Sequence, residues 1–175
     1  SKGIPVINEF FSSNLNHNLL SKNKYDVIVC RQVLEHIEDI NDFVSSIKNI
    51  LAADGLLLIE IPDHSMNYEN LDYSFWEEHI NYFTISTLRQ LLRSNGLNIF
   101  HHETCLFSGG CLMTYISHST NKEKVYRDID KEYRTKFIKS FNEFQKEFIN
   151  YLEEFNEKSI VSDNFWGTLM KNFNF

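Results

Sequence analysis

The stretch Tyr25–Pro62, YDVIVCRQVLEHIEDINDFVSSIKNILAADGLLLIEIP, decides the fold, because two apolar runs flank one helical pattern. Tyr25–Cys30 is continuous and rich in Val and Ile, which is typical of a strand buried on both faces. Leu56–Ile61 is a second run of this kind and is closed by Pro62. Two buried strands joined through a helix predict a parallel βαβ unit with a right-handed crossover.

The helix between these strands is indicated by apolar residues that recur at three- and four-residue steps. They are Ile40, Phe43, Val44, Ile47, Ile50 and Leu51. Asn41 is expected to cap the start of the helix. Asp54-Gly55 is expected to end it, because glycine tolerates the left-handed backbone that a helix terminus often needs.

Polar residues follow both strands, at the edge of the sheet where ligands bind in parallel α/β folds. Arg31 and Gln32 leave the first strand, and Glu35 and His36 come shortly afterwards. The pair Glu35-His36 is either part of a site or a helix-start pair favoured by the helix dipole. Glu60 lies in the second strand, where a buried carboxylate needs a partner, so it is either a structural acceptor or a site residue.

Four segments in this order carry a resemblance to a known family. YDVIVCRQVLEHIED resembles the fourth strand and following loop of class I S-adenosylmethionine-dependent methyltransferases, and LAADGLLLIEIP is similar to their next helix end and fifth strand. FWEEHINYFTISTLRQLLRSNGL and SGGCLMTYISH resemble the sugar C-methyltransferase branch. The resemblance covers roughly residues 3–118.

The resemblance implies an α/β fold, the later part of a doubly wound, Rossmann-like sheet with an antiparallel edge pair. The edge pair is expected at Leu97–Glu103 and Cys111–Ser117, after a helix capped by Thr84 or Ser86. A long Phe-rich amphipathic helix is predicted over 122–157. Residues 1–118 are therefore expected to form the C-terminal part of a methyltransferase domain, and 119–175 a long helix and a short tail.

The resemblance implies S-adenosylmethionine as methyl donor. It places Arg31 and Gln32 at the methionine end of this cofactor, and Glu9 and Phe10 near its adenine. For Glu9 and Phe10, a turn acid beside core phenylalanines remains an equal alternative. The residues 4–8 would form the third strand of the family, whose glycine-rich loop lies earlier and has no counterpart in this sequence. The chain alone is therefore expected to bind the cofactor weakly. The resemblance thus leads us to expect a fragment, a truncated reading frame, or one half of a two-chain fold.

A catalytic pair is implied by Trp76-Glu77-Glu78-His79, which is similar to the Tyr-x-Glu-His motif of sugar C-methyltransferases. The resemblance makes His79 the general base and Glu78 the carboxylate that orients it. Trp76, Tyr82 and His36 are expected to line the acceptor pocket. Trp76 replaces the tyrosine of the motif, which places carbon methylation in question. The alternative is a lid-like linker whose aromatic residues pack on the sheet.

Composition limits the partners and the compartment. A formal charge of −7 argues against nucleic-acid binding, and no apolar run reaches the roughly 20 residues that span a membrane. Three cysteines without a C-x-x-C motif fit a reduced, cytoplasmic compartment. His101, His102 and Glu103 are adjacent in a strand and face opposite sides, so no metal site is expected there. The expected partner is a small-molecule acceptor.

Assembly is predicted from two features. The resemblance places two earlier strands of the family between its third and fourth strands, and without a counterpart for them Val27–Cys30 would have an open edge. The long helix adds a Phe stripe that needs covering. An open apolar strand edge is a template for pairing, so we expect a homo-oligomer or pairing with a missing N-terminal segment. The long helix itself is either a packing helix or a dimer element. The alternative to an enzyme is a non-catalytic, self-associating module that binds no cofactor by itself.

Overall fold

The computed structural model begins with a short helical turn, α1 (Ser13–Leu15), and continues into the predicted βαβ unit. Strand β1 (Tyr25–Arg31) leads through a 3-10 turn at Leu34–His36 into helix α2 (Ile40–Ile50) and strand β2 (Leu51–Pro62). The remaining elements are α3 (Ser65–Asn70), α4 (Ile85–Ser94), β3 (Leu97–Cys105), β4 (Cys111–His118) and α5 (Lys131–Glu154). The structure describes residues 3, 6–15, 23–73, 76–106, 110–118 and 131–154.

The chain divides into two compact units. The first unit comprises Ser1–Ser65 and His79–Asp128, and the second comprises Met66–Glu78 and Ile129–Phe175. The first unit contains the whole sheet. The domain boundary predicted at 118/119 stays a prediction.

The sheet of the first unit has the order β1-β2-β4-β3. β1 and β2 are parallel, with Arg31 opposite Glu60, whereas β4 is antiparallel to both of its neighbours. This arrangement confirms the mixed α/β sheet and the antiparallel pair formed by β3 and β4. β2 supplies the centre of the core, where Leu57, Ile59 and Ile61 are fully buried. Each such side chain stabilises the fold by about 1.5–3 kcal/mol relative to an exposed one.

β1 is far more exposed than its apolar sequence indicates. Val27 and Val29 are each 56% exposed, and only Cys30 of this strand is buried. The prediction of a strand buried on both faces is therefore wrong, because the face that carries Val27 and Val29 is not covered within the described part of the chain. β1 is also an edge strand among the described residues. The predicted third strand is not formed at residues 6–8 either, and positions 4 and 5 lie outside the described residues.

Helix α2 buries the predicted apolar stripe, but its two ends differ from the prediction. Asp39, not Asn41, is the N-cap, and its side chain accepts a hydrogen bond from the Asp42 backbone N–H at 3.0 Å. The helix ends at Ile50, and Gly55 lies within β2. A Cβ atom at Gly55 would lie 2.8 Å from Leu51 Cδ1 and 3.0 Å from the Tyr25 carbonyl oxygen. Gly55 therefore permits close approach of β1 rather than ending the helix.

Helix α4 forms as predicted, with Thr84 as its N-cap in a capping box with Thr87. Its core face contains Leu88 and Leu92, both fully buried. Gly96 follows the C-cap with a φ of 75°, the left-handed conformation that ends helices readily at glycine.

In the second unit, helix α5 carries an aromatic cluster. Tyr73 contacts Phe137, Phe141 and Phe144 at ring-centroid distances of 5.1–5.2 Å, and its hydroxyl lies 2.6 Å from Ser140 Oγ. The described part of the predicted long helix is thus confirmed; positions 122–130 and 155–157 lie outside it. Within the described residues, no helix is long and apolar enough to span a membrane.

Candidate functional site

The carboxyl ends of β1 and β2 carry a closed polar cluster built around Glu60. This carboxylate is 2% exposed and accepts hydrogen bonds from Arg31 Nε at 2.9 Å, Arg31 Nη2 at 3.2 Å and Gln32 Nε2 at 3.3 Å. The hydrogen bond and the charge of Glu60 raise the pKa of Arg31. Glu60 thus has the partner that a buried carboxylate requires.

Gln32 directs the chain away from the sheet at the carboxyl end of β1. Its φ is 52°, an uncommon left-handed value for a residue other than glycine, and its backbone N–H donates to the Glu60 carbonyl at 2.9 Å. Its side-chain amide also lies 3.3 Å from Cys111 Sγ, whose pKa is raised by burial. Non-glycine residues held in this conformation cluster at functional sites.

Glu35 lies in the turn that follows and is 1% exposed. Neither of its carboxylate oxygens has a hydrogen-bond partner among the described residues. The imidazole of His36 approaches it, with Nε2 at 4.0 Å from Glu35 Oε1. Burial and then the charge of Glu35 raise the pKa of the Cys30 thiol to about 12, which leaves that thiol protonated and unreactive at neutral pH.

The segment that begins at His79 is attached to this turn through its backbone. The N–H groups of Ile80 and Asn81 both donate to the Glu35 carbonyl oxygen, at 2.9 and 3.0 Å. The Asn81 side chain adds hydrogen bonds to the carbonyl oxygens of Ile37 at 2.7 Å and Leu34 at 3.4 Å. These bonds fix where His79 lies relative to the turn.

The result is a group of three histidines and a tyrosine. The rings of His36 and His79 meet edge to face, with centroids 4.9 Å apart. Tyr82 lies 6.2 Å from His79 and 4.7 Å from the buried ring of His64. The imidazoles of His36 and His79 and the phenol of Tyr82 suit proton transfer to and from a small molecule.

The structure brings together His36, His79 and Tyr82, three of the predicted site residues. Arg31 and Gln32 form the separate cluster on Glu60. Glu35 was left open between a site residue and a helix-start residue, whereas His64 and Asn81 were assigned no role. Only the repeated Glu-His dipeptides at 35–36 and 78–79 hint at the juxtaposition.

The other predicted residues are exposed. In the first unit Glu9 is exposed and Phe10 is 96% exposed, whereas the neighbouring Phe11 packs edge to face on Phe43 at 5.3 Å. Trp76 and Glu78 belong to the second unit and are both exposed. The roles assigned to these four residues stay predictions.

A family model described as "Methyltransferase domain" matches residues 5–102 of the chain. Among curated proteins, the C-methyltransferase NovU of Streptomyces niveus is 26% identical over 116 residues, which are 65% of this chain and 28% of that protein. The ubiquinone biosynthesis O-methyltransferase of Glaesserella parasuis serovar 5 (strain SH0165) is 42% identical over 43 residues, 25% of this chain and 18% of that protein. The chain therefore spans less than a third of either curated relative.

Among solved structures, an S-adenosylmethionine-dependent methyltransferase from Clostridium acetobutylicum is 13% identical, with a TM-score of 0.45. The similarity covers 59% of this chain and 62% of that one.

Proposed function

Because the chain belongs to the methyltransferase domain family, whose methyl donor is S-adenosylmethionine, we propose that it methylates a small molecule with His79 as general base. The observation that carries this proposal is the placement of His79 against His36, through backbone bonds to Glu35, beside the carboxyl end of β1. That edge is where ligands bind in folds of this class.

The residues present suit one end of the methyl donor. Its methionine part carries an ammonium and a carboxylate, and the carboxyl ends of the strands offer that carboxylate the cationic Arg31 and the amide of Gln32. The Arg31 side chain is 57% exposed and so is accessible to a ligand. We assign Arg31 and Gln32 to this end, and Glu9 and Phe10 to the adenine. When bound, S-adenosylmethionine supplies an electrophilic methyl group on a sulfonium.

His79 removes a proton from the acceptor in the proposed reaction. A carbon next to a carbonyl group is acidic enough for an imidazole to deprotonate when the base is held in contact with it. The proton passes to the His79 ring, and the acceptor carbon forms a new bond to the methyl group as the methyl–sulfur bond breaks. From the motif resemblance we assign Glu78, adjacent in sequence, to orienting the imidazole; we assign His36, Tyr82 and Trp76 to holding the acceptor.

The proposed acceptor is a sugar or sugar nucleotide with a keto group. Support comes from the Glu78-His79 pair, which matches the motif of the sugar C-methyltransferase branch, although Trp76 replaces the tyrosine of that motif. We favour methylation at carbon over methylation at oxygen, because the C-methyltransferase relative matches 65% of the chain and the O-methyltransferase relative matches 25%.

Transfer of a radiolabelled methyl group tests this proposal. The natural protein that carries this sequence is incubated with labelled S-adenosylmethionine and a panel of keto sugar nucleotides, with the corresponding non-keto sugars as the control set. We expect label in a keto acceptor and none in the control set. Label in no acceptor, together with no binding of S-adenosylmethionine in a calorimetric titration, would favour the non-catalytic module instead.

We further propose that β1 pairs with a strand from a second copy or from an N-terminal segment. Val27 and Val29 are largely exposed on this edge strand, which makes the strand a template for association. In multi-angle light scattering, the double variant Val27→Lys, Val29→Lys is expected to self-associate less than the parent. Val33→Lys, also exposed but outside the strand, is the matched control. A monodisperse parent monomer with strong amide protection over 27–30 would contradict the proposal.

A further inference from the structure

Glu35, His36 and His79 place three potential metal ligands in one cluster. One ligand atom from each, an imidazole nitrogen or a carboxylate oxygen, lies within 4.8 Å of the other two. Sequence spacing draws attention only to His101, His102 and Glu103 as candidate ligands. The fold instead brings Glu35 and His36 of the 3-10 turn together with His79, which follows α3.

Glu35 supplies an independent reason to expect a cation here. Its side chain is almost fully buried, and neither carboxylate oxygen has a hydrogen-bond partner within the described ranges. The imidazole at 4.0 Å is beyond hydrogen-bond distance. A buried carboxylate without such bonds is costly, and coordination of a metal ion is one of the two ways in which proteins compensate a buried charge.

The geometry of the two imidazoles fits a shared ion. Zinc–nitrogen bonds of about 2.0–2.1 Å and a tetrahedral angle place the centroids of two ligating imidazoles roughly 5 Å apart. The rings of His36 and His79 lie 4.9 Å apart and are inclined by 77°. His36 is 38% exposed, so an ion has a path from solvent and the ring has room to turn.

We propose that Glu35, His36 and His79 bind one divalent transition-metal ion of the zinc type. Two imidazole nitrogens and one carboxylate oxygen are ligands that zinc, cobalt and ferrous iron accept, and such a set leaves coordination positions open to water or a ligand. Magnesium and calcium prefer sites built from oxygen ligands and are excluded as occupants.

Metal binding stands on this geometry and does not depend on the proposed function. If His79 is also the general base, a bound ion occupies the imidazole and prevents it from accepting the acceptor's proton. The metal-bound and base-competent states of His79 then exclude one another, and added zinc is expected to inhibit methyl transfer.

Metal titration of the tag-free, chelator-treated protein tests the site. With zinc chloride, equilibrium dialysis followed by elemental analysis is expected to show one ion per chain. Cobalt chloride is expected to give visible d–d bands that zinc abolishes and that excess magnesium leaves unchanged. Glu35→Gln, His36→Ala and His79→Ala should each weaken zinc binding by at least about tenfold.

The test has two controls, a histidine substitution outside the cluster and a measurement of folding. His101→Ala removes a histidine on β3 and is expected to leave zinc affinity and the cobalt spectrum unchanged. Glu35→Gln keeps the shape of the side chain, and circular dichroism shows whether each variant is folded. Failure of the folded parent to retain zinc, or equal retention by the parent, Glu35→Gln and His36→Ala, would overturn the proposal. Methyl transfer is not measured, so failure here leaves the proposed function untouched.

Discussion

His79→Ala is expected to lower the turnover of methyl transfer by about 10²–10⁴-fold, the usual contribution of a positioned general base. The ring lies against His36, whereas Arg31 and Gln32, which are assigned to the methionine end of the cofactor, contact Glu60 instead. Affinity for S-adenosylmethionine should therefore remain nearly unchanged. Steady-state kinetics measures the turnover, and calorimetric titration of the same preparations measures the affinity for S-adenosylmethionine.

Matched variants separate the base from its surroundings. Glu78→Gln keeps the shape of the side chain but removes its charge, so turnover should fall less far than in His79→Ala. His101→Ala removes a histidine that packs on Tyr115 of β4, at 5.2 Å between ring centroids, and should leave turnover at the parent level. Near-normal turnover in folded His79→Ala would show that another group removes the proton.

Asn81→Ala is expected to lower turnover by about 10²-fold, because small displacements of catalytic groups have effects of this size. The side chain donates to the carbonyl oxygens of Ile37 at 2.7 Å and Leu34 at 3.4 Å, which attaches the segment after His79 to the 3-10 turn. Loss of these bonds leaves two carbonyl groups without this donor and should cost about 1–3 kcal/mol of unfolding free energy. Urea denaturation measures that loss beside the kinetics.

Asn95→Ala is the control for a lost amide hydrogen bond elsewhere in the fold. Asn95 Nδ2 donates to the Leu91 carbonyl at 3.0 Å at the end of α4, away from the histidine pair. The Asn95→Ala substitution should reduce the free energy of unfolding by about 0.5–1.5 kcal/mol and leave turnover unchanged. Equal turnover in folded Asn81→Ala and Asn95→Ala would show that Asn81 does not position the site.

The βαβ unit, the capped helix α4 and the antiparallel pair β3–β4 were predictable, because each depends on local periodicity and on capping or turn residues. Gly55 was misinterpreted because glycine serves a helix end and a close backbone approach equally well. Only the position of the Tyr25 carbonyl distinguishes the two.

The exposure of β1 could not be predicted from its sequence. An apolar run such as Tyr25–Cys30 indicates a strand that is suited to burial, but it does not say whether the covering layer lies in the same chain. Val27 and Val29 are exposed because no layer covers their face within the described residues.

The candidate site was predictable only in part. His79, Tyr82 and His36 were assigned to the site from the sequence, and the fold places them together. Glu35 and Asn81 meet them only through contacts between segments far apart in sequence. The burial of Glu35 is also a property of the folded chain, since a Glu-His dipeptide is usually exposed at the start of a helix.

Deuterium exchange at the acceptor carbon tests the central claim most directly, because it detects proton removal without methyl transfer. The protein is incubated in heavy water with S-adenosylhomocysteine and the keto sugar nucleotide that the label-transfer panel identifies, and the acceptor is analysed by mass spectrometry. The account predicts one exchanged hydrogen with the parent protein and His101→Ala, and none above background with His79→Ala. Exchange at the parent rate in His79→Ala, or methylation by the parent without any exchangeable carbon-bound hydrogen, would contradict it.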